Sequence, residues 1–600
     1  MAWRYGSKRT ERLLLLLLLL LLSLTRCSPH LPDAPSLPPP LPPQRSLALP
    51  APLTLTLASR RAQVREAIRH AWSGYMKYGR LGDDLKPVSR GVDNWMNARL
   101  TLFDSLDTLY LSGCQDLFHE AAQQVLAGGV PGDAIFPSKV FEYHIRIVGG
   151  LLSVHSLTGD ARFLDLASRA ADNVLEAMQN PSGLPYMHFR FVDRKRRPVT
   201  WLVSRTMDFI RASYDSAIWR NSLVGIGSMG PELRYLTRET GARRYEEAAD
   251  RVLAEIHAAW KKLGGRNSSK PLPLWWDTPP RLSRSYRPLF NQLEGSEATL
   301  GSGGDSFFEY LLKEQLLQSS SRSQLVDMYE WLTSRLLDGH ANQLIRRVHG
   351  VDFLVNRRCD YEHLTCFVPG MLALGASQLK GNRSSQLSLA RRLMESCIYL
   401  YQASPTGLAP DTGSVCGDQF TANSPEYLLR PETVESLFIL FRVTKDGRYR
   451  EIAWEIFRSI EKYCKVESGG YSGLVNVNDV NGSKNDNMPS YFIAETLKYL
   501  YLIFDDAAVS LDDFVFTTEA HPLARYNRCD RQGVSRYHSE CVSSSIDLFL
   551  LSPENLMLLL LLLTCLHRCR CVSLAWLKRA LVQRIRSFLK RRRLGRHHMV

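Results

Sequence analysis

The chain has 600 residues and a formal charge of +15, but that charge is confined to its ends. Residues 1–30 hold five Lys/Arg against one Glu, residues 567–600 hold eleven Lys/Arg and no acid, and the stretch between them balances. A neutral body leaves a nucleic-acid role unsupported, and twelve irregularly spaced cysteines leave a zinc framework equally so.

Arg4, Lys8, Arg9 and Arg12 precede an unbroken Leu13–Leu22 run, the pattern of a signal peptide or short signal anchor over residues 1–30. The run is shorter than the ~20 apolar residues that span a bilayer comfortably. Residues 31–60 read as a Pro-rich linker. At the other end, residues 526–600 form an extension in which the leucine-rich Leu556–Leu566 leads into a basic tail. Membrane contact is expected there, as a short span or as an amphipathic surface segment. A secretory chain admits disulfides, and Asn267, Asn382 and Asn481 each open a glycan-acceptor triplet.

Between these ends the pattern is helix after helix. Apolar residues at helical spacing predict helices over Ala62–Lys77, Leu102–Tyr110, Val140–Leu157, Ala161–Met178, Ser222–Leu236, Arg244–Lys261 and Ser306–Leu317. The pattern continues over Ser323–Leu337, Met371–Leu379, Gln386–Gln402, Pro431–Val443, Arg448–Tyr463 and Ser490–Phe504. No residue-identity repeat is visible, so a closed toroid of helix pairs and an irregular solenoid both satisfy the periodicity.

Carboxylates punctuate several of these helices. Asp104 and Asp107 share one face and by themselves read as a solvated acidic stripe. Glu142 and Arg146 stand at i and i+4, the spacing of a surface ion pair worth ~0.3–0.5 kcal/mol. Gly149 and Gly150 follow inside the same helix, at about 1 kcal/mol each relative to alanine, which calls for the close approach of a neighbour or ligand. Ser306 and Glu309 have the spacing of a capping box, with Asp305 just ahead of the helix. Pro431 reads as a first helical residue, so the dipole should hold Glu432 ionised, as a base needs, with Glu435 one turn on. Tyr491 and Glu495 share a face on the last helix. Acids on separate helices around one cavity are what glycoside hydrolysis uses, one protonating the leaving oxygen and another activating water.

Eight phrases occur in a fixed order: LTLFDSLDTLY at 100–110, FEYHIRIVGGLLS at 141–153, GDSFFEYLLK at 304–313, EHLTCFVPGMLALG at 362–375, LLRPETVESLF at 428–438, SGGYSG at 468–473, YFIAETLKYLYLIF at 491–504 and FTTEAHP at 516–522. From about His70 to Pro522 the chain thereby resembles glycoside hydrolase family 47, the class I α-1,2-mannosidases, and is most similar to its endoplasmic-reticulum members. The resemblance implies an all-α fold, an (α/α)7 barrel with small β elements over residues 61–525, and one bound calcium. It implies inverting removal of α-1,2-linked mannose from high-mannose N-glycans in the lumen of the endoplasmic reticulum or early Golgi. Matched by motif, Glu142 is the general acid, Glu432 the general base and Asp305 a third catalytic carboxylate. Arg146, His363, Arg430, Glu435, Tyr491 and Glu495 line the sugar site, Thr518 ligates calcium, and Cys366 pairs with Cys397. Glu519 and His521 read as supports for the Thr518 turn.

Two positions depart from the family pattern. Gly225 stands where a second-repeat glutamate is usual, which admits a mannose-binding lectin of the same fold as a rival to the enzyme. Gly303 stands where the endoplasmic-reticulum members carry an arginine that selects one glycan branch, so broader branch tolerance is expected.

Overall fold

The computed structural model describes residues 56–131, 138–191, 220–278, 298–318, 322–381 and 383–526. The expected leader, most of the linker, the extension after Tyr526 and Asn382 lie outside the described residues. Among the described residues no helix is long and apolar enough to cross a membrane.

Seven helix pairs build the fold, and the burial pattern separates an inner from an outer member. The outer helix Ala161–Ala177 buries one stripe, Phe163, Leu166, Ala167, Ala170, Ala171, Val174 and Ala177, as a helix with one wet face must. The inner helix Phe367–Gln378 buries every residue from Phe367 to Gly375, so it has neighbours all round. The inner helices are Leu106–Leu111, Gly149–Thr158, Gly230–Thr240, Asp305–Leu317, Phe367–Gln378, Glu432–Thr444 and the run Phe492–Leu497 with Lys498–Leu502. Each packs on the next and the last packs on the first, which closes a ring. Outside it lie Gln115–Gly128, Ala161–Ala177, Arg244–Lys262, Ser323–Leu337, Ser384–Ala403 and Arg448–Tyr463. The seventh outer place is taken by Leu57–Gly74, so the start of the domain pairs with its last inner helix. This is an (α/α)7 barrel, and the solenoid alternative is excluded by its closure. Among the described residues six small antiparallel sheets, five of two strands and one of three, decorate it.

Local departures from the expected helices have identifiable causes. The first helix begins at Leu57 rather than Ala62 because Thr56 caps it, its Oγ1 accepting from the Ser59 amide at 3.2 Å. The expected helix Ser222–Leu236 is split into Leu223–Gly227 and Gly230–Thr240. Gly225, Gly227 and Gly230 weaken the first turns, and Pro231 fits only the opening turn of the second piece. The helices bearing Glu142 and Tyr491 each widen into a π-helical stretch, Tyr143–Val148 and Phe492–Leu497, a distortion that recurs at functional sites.

A hairpin of Phe514–Phe516 and Pro522–Ala524 enters the ring and forms its floor. Its turn, Thr517 to His521, is bound from several sides. Lys313 donates to the Thr517 carbonyl at 3.3 Å, Lys498 to the Ala520 carbonyl at 2.7 Å, and Phe516 packs on Phe438 and Tyr499. His521 lies against Gly149 and Gly150: a Cβ on Gly149 would collide with the imidazole, and one on Gly150 would collide with the Phe103 carbonyl. The glycines therefore serve the close approach that their cost demanded.

Candidate active site

The open end of the barrel holds a cavity of about 470 Å³, within the range of small-molecule sites. Nine of the ten residues matched by motif to catalysis, sugar or calcium line it: Glu142, Arg146, Asp305, Arg430, Glu432, Glu435, Tyr491, Glu495 and Thr518. His363 stands one layer behind, its Nδ1 3.0 Å from Glu432 Oε2 and its Nε2 3.0 Å from the Tyr401 hydroxyl. Cys366 and Cys397 are bonded at 2.03 Å, fastening the helix after His363 to its outer partner.

Glu432 is the first residue of its helix, with Pro431 as the N-cap rather than inside it. Burial works to push its carboxyl up, but the His363 hydrogen bond and the charges of His363 and Arg430 outweigh it and hold the group below the usual range. Arg430 is kept in place by Asp411 through a short ion pair. A carboxylate held ionised at the edge of a cavity suits a base.

Asp305 has the opposite character. Burial, chiefly, and the charges of Glu432, Glu309 and Glu362 push its carboxyl up to about 8 against the pull of the Ser306 amide. At neutral pH it carries a proton. Glu435 is likewise pushed up to about 8, by burial and by Glu309 against the pull of Lys313. Burial and neighbouring carboxylates also raise Glu495 and Glu519 well above the ordinary range. Lys313 reaches Glu435 at 3.2 Å and contacts Glu309 more closely, and it is the buried cation on this side of the cavity.

Three expectations from local spacing are overturned. Glu142 and Arg146 are no surface pair: the Arg146 side chain is only 11% exposed, reaching Glu142 at 2.9 Å, Asp104 at 3.1 Å, and Glu519. Asp104 and Asp107 are fully buried rather than solvated. They meet His521 at 3.2 and 2.8 Å, and Asp107 also meets Lys498 at 2.8 Å. Ser306 and Glu309 form no capping box, because Gly304 is the N-cap and makes no side-chain cap bond. Instead Ser306 accepts from the Thr518 hydroxyl at 2.8 Å, and Glu309 turns into the cavity with Lys313. Residue spacing gives no sign of Lys498 or Asp411, whose partners are far away in sequence, and of Lys313 it shows only Glu309 one turn back, not Glu435.

The donor set at Thr518 fits a hard cation. Its amide donates to the Tyr310 hydroxyl at 3.1 Å and its hydroxyl proton goes to Ser306, leaving the lone pairs of Oγ1 free. Among the described residues no donor reaches the Thr518 carbonyl. Around it lie carboxyl groups in excess of cations, and oxygen-only ligation suits calcium. Among the described residues no three His, Cys, Asp or Glu side chains close on one metal position, so such a cation would be completed by water or ligand oxygens.

The two departing glycines have structural explanations. The Asn221 side-chain amide stands where a Cβ on Gly225 would project, anchored by donating to the Pro185 carbonyl at 3.0 Å. Gly303 has φ +87°, the left-handed region that disfavours arginine, and a Cβ there would meet Leu274. Both positions line the cavity, so this wall is small and neutral.

The model of the glycosyl hydrolase family 47 matches residues 67–525. The human endoplasmic reticulum mannosyl-oligosaccharide 1,2-alpha-mannosidase is 35% identical over 503 residues, covering 81% of this chain and 66% of that one. The Arabidopsis thaliana mannosyl-oligosaccharide 1,2-alpha-mannosidase MNS1 is 37% identical over 484 residues, covering 78% of this chain and 80% of that one. The solved alpha-1,2-mannosidase from Trichoderma reesei superposes with a TM-score of 0.67 at 26% identity, over 78% of this chain and 99% of that one. With the acid-lined barrel and a match over its whole helical body, the chain belongs to glycosyl hydrolase family 47.

Proposed function

We propose that the protein is a calcium-dependent, inverting α-1,2-mannosidase that trims high-mannose N-glycans, lumenal and membrane-associated in the endoplasmic reticulum or early Golgi, where it would serve glycoprotein quality control. The observation that carries the reading is the contrast within one cavity between Glu432, held ionised, and Asp305, held protonated at neutral pH. Groups whose environments drive their proton affinities apart are the signature of acid–base catalysis.

In this reading Glu432 takes the proton of the attacking water, and His363 orients it through the 3.0 Å contact. Proton delivery to the leaving oxygen falls to Glu142 through a water, with Asp305 as the protonated group nearby. Arg146 and Arg430 fix the carboxylates, while Tyr491, Glu435 and Glu495 present a face and acceptors to the sugar. Thr518 would hold calcium, whose chemistry is to grip sugar hydroxyls and favour ring distortion. The small wall at Gly303 and Gly225 would admit more than one glycan branch.

Purified full-length protein incubated with high-mannose glycan, with and without chelator, tests this. Chelator-sensitive mannose release that vanishes in Glu432→Gln supports the enzyme. The neutral Asn221–Gly225 wall favours a second reading, a mannose-binding lectin of the same fold, for which glycan would bind without turnover. A nine-mannose glycan trimmed cleanly to one eight-mannose isomer would refute broad branch tolerance.

A further inference from the structure

Cys359 and Cys416 lie outside the cavity and outside the mechanism. They sit at one end of the three-stranded sheet formed by Asp360–Glu362, Thr412–Ser414 and Thr421–Ser424. The antiparallel register pairs Asp360 with Ser414, and one residue further the Val415 amide donates to the Cys359 carbonyl at 3.0 Å. That places Cys416 diagonally across from Cys359 on an adjacent strand end. The backbone bends there: Cys359 has φ +64°, and the chain turns after Val415. The bend brings the two side chains together, close enough for each thiol to shift the other's proton affinity, Cys359 up and Cys416 down. Cys416 Sγ also lies 3.0 Å from the Arg358 carbonyl and 3.3 Å from Ser414 Oγ, so it is held over its partner strand. Cys359 is buried while Cys416 is exposed, which opens the pair to a soluble oxidant from one side.

We propose that Cys359 and Cys416 are a disulfide-forming pair, a modification site separate from Cys366–Cys397. Neighbouring strands lie ~4.8 Å apart, and one residue's rise of ~3.3 Å puts a diagonal pair roughly 6 Å apart, inside the Cα separation that disulfides span. The oxidant is a small or protein disulfide. The Cys416 thiolate attacks one of its sulfurs, releasing a thiolate and leaving a mixed disulfide on Cys416. The Cys359 thiolate then displaces the second thiolate. Two protein thiols lose two electrons and two protons, and the oxidant leaves as two thiols.

The bond would clamp a sheet that feeds the active site at both strands. Asp360–Glu362 runs directly into His363, and Asp411, at the head of the middle strand, holds Arg430 and accepts the His363 amide at 2.8 Å. This assignment does not depend on the mannosidase reading, because its readout is covalent.

The full chain, equilibrated with oxidised and reduced glutathione and then alkylated under denaturing conditions, is digested without reductant and mapped by mass spectrometry. The expected product is a cross-linked peptide pair joining Cys359 to Cys416, lighter by two hydrogens than the separate reduced peptides and resolved into them by reductant. Alkylation of both thiols while Cys366–Cys397 stays bonded overturns the proposal. So does linkage of either cysteine to any other. Cys359→Ser is expected to free Cys416 for alkylation and to leave Cys366–Cys397 intact.

Discussion

Two sets of buried carboxylates lie within the same barrel, and they are treated in opposite ways. In the floor, Asp104 and Asp107 face Arg146, Lys498 and His521. Burial alone would raise both; His521 and Arg146 bring Asp104 down to about 2, and Lys498 and His521 lower Asp107. In the cavity, Asp305, Glu435, Glu495 and Glu519 outnumber the cations within reach, and all are pushed up. Charge that is matched internally holds the fold. Charge left unmatched is available to a proton, a cation or a sugar hydroxyl, and the second set sits where a ligand can reach it.

The sharpest way to break this comparison is to remove Glu432, the cavity acid whose carboxyl is drawn below its usual range. Glu432→Gln should lower the rate of mannose release by roughly 10²–10⁴-fold without unfolding the protein, as measured by sugar release and circular dichroism together. A floor acid should behave in reverse. Asp107→Ala strands Lys498 and His521 in the core and should cost about 3–5 kcal/mol of stability, read from denaturant unfolding. If Glu432→Gln destabilised as much as Asp107→Ala, the division would fail.

Acidity supplies a smaller, continuous test. The His521 pKa is raised above 6.5: burial lowers it, and Asp107 and Asp104 more than restore it. Its contribution is therefore complete below about 6.5 and fades as pH rises through the higher folded value. The floor aspartates run the other way, their contribution being present above 3.8 and lost as pH falls through the folded value, about 2 for Asp104. Unfolding free energy from this cluster should thus be greatest between these limits. In the cavity, if the proton on Asp305 is needed, mannose release should decline as pH passes about 8, and Asp305→Asn should remove that limb of the profile.

What was legible in the sequence followed distance along the chain. Helices with a single apolar stripe, such as Ala161–Ala177 and Arg448–Tyr463, are legible close to their observed ends because their pattern is local. The glycines at 149 and 150 signalled a close approach, but not that His521, far down the chain, makes it. The pairing of Glu142 with Arg146 was visible at four residues' spacing, whereas Asp104 and Glu519 on the same guanidinium were not. Ring closure was equally out of reach, since Leu57–Gly74 pairs with a helix that begins near residue 492. Family phrases brought the distant site residues together where periodicity had left them on separate helices.

The central claim is that the unmatched acids and Thr518 make a cation site, and calorimetric titration of calcium into the chelated full chain tests it most directly. The account predicts saturable binding that raises the unfolding free energy by about 2.7 kcal/mol at a hundred times Kd, and that weakens roughly 10–100-fold in Thr518→Ala. Equal calcium affinity in Thr518→Ala and the native chain, or no binding to either, would contradict it.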